Sequence, residues 1–349
     1  MAVSGASAEI AVRRAGRVLH VRLQRPAQLN ALTPAMLADI DGALDLSESD
    51  PAVETVVLSG EGDRGLCAGG DVRILSAMQE AEAREFWAVE YRLNARLARH
   101  PVPVVAIMDG IVMGGGMGIS MHDSVRVVTE RSQLAMPETR IGLSPDVGGL
   151  HRLGLAPGES GTHLALTGDA IGAADAILTG LADVVVPSAE LPAFIADLES
   201  RGAAAALASH ATKVRPGDGV LAERGWIDTC YRADTLQEIL ERLDRRSEET
   251  AVRAAATIRR NSPTAVAVAL GAIRRAREWN DLPRTLEQDL RTSVGLWQRP
   301  DLREGIRAQV IDKDRAPRWS PASVDDVDPA IVAGILSDGQ GASVSSPPK

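Results

Sequence analysis

Apolar and polar positions alternate along Val18-Leu19-His20-Val21-Arg22-Leu23, which predicts a half-buried strand. A helix is predicted from residue 34. Thr33 is a good N-cap and Pro34 suits the first helical position, where no N–H is needed. Met36, Leu37, Ile40 and Leu44 then supply one apolar face. Apolar runs at 53–59 and 102–108 predict buried strands, and 125–129 and 183–186 predict two more. Helical spacing fits 72–79, 82–99 and 115–121. Strands and helices thus alternate through the first half, which predicts an α/β architecture.

Beyond about residue 190 strand runs stop, and helix-compatible segments cover 190–208, 235–260, 264–279, 283–298 and 301–311. Asn261-Ser262-Pro263 reads as a stop and restart, with Ser as cap and Pro in the new first turn. After Trp319 the chain is rich in Ser, Pro, Asp and Gly. The expected organisation is a core over 1–200, a helical region over 201–327 and a disordered tail over 328–349. No solenoid repeat is visible.

The chain has 349 residues, enough for about two domains or one large one with an appendage. A net charge of −9 and few aromatic residues (five Trp, two Tyr, two Phe) argue against nucleic acid as a partner. Binding it needs a basic surface and stacking platforms. Two cysteines, Cys67 and Cys230, make no disulfide framework and no CxxC pair. The opening residues lack a secretory pattern, and the longest uncharged apolar stretches fall far below the ~20 residues of a membrane helix. A soluble, cytoplasmic protein without a membrane partner is expected.

Four segments bear on chemistry. Gly60-Glu61-Gly62-Asp63-Arg64-Gly65 matches G-x-G-x-x-G after a strand, but a dinucleotide site needs those glycines to lead straight into a helix. Here Leu66 to Gly70 intervene, and a surface turn is the simpler reading. Cys67-Ala68-Gly69-Gly70-Asp71 and Met113-Gly114-Gly115-Gly116-Met117-Gly118 each place glycines before a predicted helix. Such loops permit close backbone approach, so each can offer an N–H to one developing oxyanion; tight packing without a ligand is the competing reading. Between Pro137 and Gly149, Glu138 and Asp146 stand eight residues apart with Gly and Pro between them. Paired carboxylates in unlike environments are a general acid/base device, although loop acids are more often simply solvated. No G-x-S-x-G elbow, Walker A or HExxH pattern occurs, and the six histidines show no metal-ligand spacing.

Taken together, these segments resemble the crotonase (enoyl-CoA hydratase/isomerase) superfamily. Arg25-Pro26-Ala27-Gln28-Leu29-Asn30-Ala31-Leu32, Leu66 to Asp71, and Asp109 to Gly118 carry the resemblance. Within that superfamily the chain is most similar to the 3-hydroxyisobutyryl-CoA hydrolases, through Ala135 to Gly149, Phe86 to Asn94, Asn261 to Thr264 and Glu304 to Asp314. The resemblance spans roughly residues 10 to 327.

It implies a spiral of ββα units with a helical C-terminal region. It further implies an acyl-CoA thioester substrate, with coenzyme A as part of the substrate and neither a separate cofactor nor a metal. Gly70 and Gly115 fall on the family's oxyanion-hole donors and Glu138 on its catalytic glutamate. Asp146 falls on the hydrolases' aspartate, and Glu90 on their substrate-contacting glutamate. Glu90, Gly115, Glu138 and Asp146 are thereby the expected substrate-binding residues. Hydratases carry a second glutamate three residues beyond the middle glycine of the triple-glycine loop. That position here is Gly118, and Asp146 stands where hydratases have glycine. Thioester hydrolysis in valine catabolism is the implied activity. A hydratase or isomerase and a non-catalytic acyl-CoA-binding protein are the alternatives. The resemblance is also compatible with a homo-oligomer.

Overall fold

A computed structural model describes residues 8–122, 124–213, 219, 221 and 224–337. The described residues form nine strands: β1 Ile10–Ala15, β2 Val18–Leu23, β3 Thr55–Gly60, β4 Gly65–Cys67, β5 Val104–Met108, β6 Ile111–Met113, β7 Val125–Val128, β8 Gln133–Ala135 and β9 Val184–Val185. They form a six-stranded sheet in the order β1-β2-β3-β5-β7-β9 and a three-stranded sheet in the order β4-β6-β8. Only the β1–β2 pair of the large sheet is antiparallel. Each long strand β3, β5 and β7 is followed by a short one that joins the small sheet, which is the ββα spiral expected from the resemblance.

The longer elements follow local chemistry. Thr33 caps the helix Pro34–Ser49 by accepting the Met36 N–H at 3.2 Å. Ser262 caps Pro263–Trp279 by accepting the Ala265 N–H at 3.3 Å. Two long predicted helices are divided. The 190–208 stretch breaks at Gly202 (φ 87°) into Leu191–Arg201 and Ala203–His210. The 235–260 stretch breaks into Leu236–Asp244 and Glu249–Arg260.

The chain clusters into two units, one within Met1–Asp71, Leu93–Leu134 and Ile171–Val220, the other within Val72–Arg92, Ala135–Ala170 and Leu221–Lys349. The expected division near residue 200 therefore does not hold. Periodicity shows that a segment is helical but not which core it joins, and several early helices cluster with the late ones. In the sheet unit, Val18, Val57, Val105, Ile107 and Val127 pack with Phe194 and Leu198 of the helix Leu191–Arg201. In the helical unit, Pro263–Trp279 packs against Gly149–Gly154, Ser160–Thr167 and Leu282–Trp297.

The expected tail over 328–349 is also corrected at its start. Asp328 accepts the Ala330 N–H at 2.8 Å and opens the helix Pro329–Leu336. Gly271 and Gly295 make room for it: a Cβ there would lie 2.5 Å from Leu336 Cδ1 and 3.1 Å from Ile335 Cγ1. Residues 338–349 lie outside the described residues. Among the described residues no helix is long and apolar enough to cross a membrane.

Candidate active site

In the sheet unit, β4 and β6 pair in parallel and deliver the two glycine loops side by side. The approach is close enough to demand glycine. A Cβ on Gly69 (φ 107°) would meet Met113 O at 3.2 Å and Gly115 N at 3.5 Å. One on Gly116 would lie 2.3 Å from Cys67 O. Leu32 donates to Gly69 O at 2.8 Å and accepts from Asp71 N at 2.9 Å. In that parallel bridge both of Leu32's bonds go to the neighbours of Gly70, so the Gly70 N–H points away from Leu32. Gly115 is the first residue of the turn Gly115–Gly118, so its N–H has no partner within the helix. The structure thus brings the loops that carry Gly70 and Gly115 side by side. The helix that Gly115 opens is one turn long, shorter than the predicted 115–121. Any help to an oxyanion therefore comes from the N–H groups rather than from a long helix dipole.

The sheet unit also has a cleft of about 610 Å³, on whose wall lie Gly60, Gly62 and Gly65. Gly65 opens strand β4 rather than a helix, so the glycine motif lacks the geometry of a dinucleotide site. The arginines of this cleft are already neutralised: Arg13 pairs with Glu199, Arg22 with Glu61 and Arg131 with Asp109. None of the expected site residues lines it.

In the helical unit, three short stretches bring the carboxylates together. Glu90 sits on the helix Glu80–Leu97, Glu138 opens the 3-10 turn Glu138–Ile141, and Asp146 lies in the irregular turn before Gly149–Gly154. They are only 3%, 7% and 6% exposed, so these acids are not solvated loop residues. The Glu138 turn is braced from a distance. Asn261 donates through Nδ2 to Thr139 Oγ1 at 3.1 Å and to Leu166 O at 3.0 Å, and the Ser262 N–H donates to Thr139 O at 3.0 Å.

Three further polar residues complete the cluster. The Tyr91 hydroxyl donates to Asp146 Oδ2 at 2.6 Å and lies 2.9 Å from Ser293 Oγ. Asp289 Oδ2 accepts the Gly148 N–H at 2.8 Å. That bond helps hold a strained turn, because the adjoining Val147 has φ 51°, rare for a β-branched residue. The sequence reading missed all three. A signal existed for two of them: Asp289 and Ser293 stand four apart on the same buried helical stripe as Leu286, Leu290 and Leu296. For Tyr91 the only hint was its place beside Glu90.

Burial dominates the electrostatics. It pushes Glu90 and Glu138 well above the usual carboxylate range, and the neighbouring Asp146 charge raises both further. Asp289 is raised in the same way. Asp146 rises only to about 6, because the Tyr91 hydrogen bond and backbone bonding oppose the cost of burial. Among the described residues, Glu90 Oε1, Glu138 Oε2 and Asp289 Oδ1 have no hydrogen-bond partner. Acids raised in this way suit proton transfer.

Comparison with known proteins agrees on the family and divides on the reaction. The family model described as enoyl-CoA hydratase/isomerase matches residues 18–336. The rat protein named 3-hydroxyisobutyryl-CoA hydrolase, mitochondrial, is 35% identical over 92% of this chain and 86% of its own length. The human protein of the same name is likewise 35% identical, over 92% and 86%. Among solved structures, one titled carnitinyl-CoA dehydratase from Mycobacterium thermoresistibile has a TM-score of 0.92 and 42% identity, covering 96% of this chain and 98% of that one. One titled enoyl-CoA hydratase from Rhodobacter sphaeroides has a TM-score of 0.88 and 41% identity, covering 95% and 97%. The matched segment, the ββα spiral and the paired glycine loops agree: the chain belongs to the enoyl-CoA hydratase/isomerase family, the crotonase superfamily.

Proposed function

We propose that the protein is an acyl-CoA thioester hydrolase that converts 3-hydroxyisobutyryl-CoA and water to 3-hydroxyisobutyrate and coenzyme A. One observation carries this reading: the buried pair Glu138 and Asp146 is present while the position of the second hydratase acid is Gly118. Gly118 has no group to give or take a proton. The alternative, a hydratase or isomerase, is favoured by the titles of the two solved structures named above. It would need water addition with one of its two acids missing.

In the proposed reaction the thioester oxygen accepts from the N–H groups of Gly70 and Gly115, whose bonds strengthen as charge builds on oxygen. Glu138 either deprotonates the attacking water or attacks directly to give a transient acyl anhydride that water then opens. The acyl carbon–sulfur bond breaks, and the coenzyme A thiolate takes up a proton held in the carboxyl cluster. Asp146 shares that proton traffic, and Glu90 takes the substrate hydroxyl. Coenzyme A enters as part of the substrate, and no metal or separate cofactor is invoked. Valine catabolism and a cytoplasmic location belong to the same proposal, as does a homo-oligomeric assembly.

The role of Glu90 makes the reading testable on substrate choice. A site built to bond a hydroxyl rejects the analogue lacking it by ~10²-fold or more in kcat/KM, because its own buried group is then left unpaired. Thiol release from 3-hydroxyisobutyryl-CoA is therefore expected to exceed that from isobutyryl-CoA by about that factor. Equal rates would remove Glu90 from substrate recognition.

A further inference from the structure

We infer that Tyr91, backed by Ser293, is a positioning residue that fixes Asp146 and keeps the charge of the buried acid cluster on that side chain. Tyr91 has one hydroxyl proton and directs it to Asp146 Oδ2 at 2.6 Å, so the contact at 2.9 Å must be filled by the Ser293 hydroxyl as donor. The result is a one-way chain, Ser293 to Tyr91 to Asp146, in which every proton points toward the carboxylate. All three side chains are buried, with Tyr91 0% and Ser293 1% exposed, so no bulk water competes for the tyrosine. Such a chain bonds an ionised Asp146 more strongly than a protonated one, because a charged acceptor makes the stronger hydrogen bond.

The groups that act on this position have been placed from each neighbouring stretch. Glu90 and Tyr91 come from one helix, Glu138 from its 3-10 turn, and Asp289 and Ser293 from another helix, with Arg291 acting on Asp289. All of the acids are raised by burial, and Asp146 has the Tyr91 bond opposing that rise. Tyr91 therefore favours ionisation of Asp146. Burial and the Asp146 charge raise Glu138 and Glu90, so each holds its proton more tightly than an ordinary glutamate. The phenol itself is pushed well above its ordinary range and stays a donor throughout.

Tyr91→Phe keeps the ring and its packing and removes only the donor. It is expected to move the acid limb of the kcat profile upward by about one pH unit and to lower kcat ~10-fold or more, with KM changed less than about threefold. Ser293→Ala removes the second donor and is expected to shift the limb in the same direction by less. These kinetic readouts rest on the hydrolase proposal. A second measurement does not: the infrared carboxyl band of Asp146, assigned by its loss in Asp146→Asn, is titrated in the protein without substrate. Its midpoint should rise in Tyr91→Phe. If the wild-type protein releases no thiol but the band shifts, the hydrolase reading fails and the positioning role stands. An unmoved band overturns the positioning role, as does an unmoved acid limb with unchanged kcat.

Discussion

Glu138→Gln is expected to lower thiol release from 3-hydroxyisobutyryl-CoA by about 10³-fold or more while leaving acyl-CoA binding within a fewfold of the wild type. The glutamine is nearly isosteric, so it fits the same turn, but it can neither take a proton from water nor form an anhydride. The proposed donors Gly70 and Gly115 would act through backbone groups on the β4 and β6 loops, which the change leaves untouched. Stability separates this loss from unfolding. Burial raises the Glu138 carboxyl in the folded state, so between the unfolded and folded pKa values the native protein binds more protons than the unfolded chain. Stability from this group is therefore greatest at low pH and falls as pH rises through that window. Glutamine has no charge to bury. The melting temperature of the variant at pH 8 should equal or exceed that of the wild type, measured beside turnover and calorimetric binding. Full turnover in Glu138→Gln would take the residue out of the mechanism, whereas lost binding would reduce it to a packing role.

Asp146→Asn should change the pH dependence of activity and of stability in linked ways. In the folded protein Asp146 titrates at about 6, against an ordinary 3.8. In the proposed mechanism ionised Asp146 is the active form, so wild-type kcat/KM is expected to rise through about pH 6. The asparagine variant should lose that limb and about 10²-fold in rate. For stability the sign runs the other way. A raised carboxyl binds its proton more tightly when folded, so stability drops as pH climbs from about 4 to about 6, by roughly 3 kcal/mol at most. Urea unfolding at intervals from pH 4 to 7.5 reads this directly, because the difference between variant and wild type isolates the one group. Parallel curves would show that Asp146 does not titrate in that window.

The two acids were legible as a pair because Gly142 and Pro145 mark an irregular turn between them, and because the superfamily resemblance reaches both. Their burial was not legible, since it comes from helices far along the chain. Asn261 is an example: its sequence context announces a helix boundary, but only the fold shows its carboxamide bracing the Glu138 turn. Helix starts at Thr33 and Ser262 could be read because a cap is a local bond to an N–H three residues on. The three-residue strands β4, β6 and β8 could not, because so few positions define no period. Those short strands nonetheless place the glycine loops, so the donors were visible as glycines and invisible as neighbours. Tyr91 and Ser293 are separated by two hundred residues of sequence and joined by one hydrogen bond. No spacing rule reaches such a pair.

The proposed chemistry is cleavage of a thioester rather than addition of water to a double bond. The direct test incubates the purified protein in parallel with (S)-3-hydroxyisobutyryl-CoA and with crotonyl-CoA, following free thiol in the first and loss of the conjugated double bond in the second. Thiol release without hydration is the predicted result, because Glu138 and Asp146 are present and Gly118 offers no second hydratase acid. Hydration of crotonyl-CoA without thiol release would contradict the account and show that water is added without a side chain at position 118.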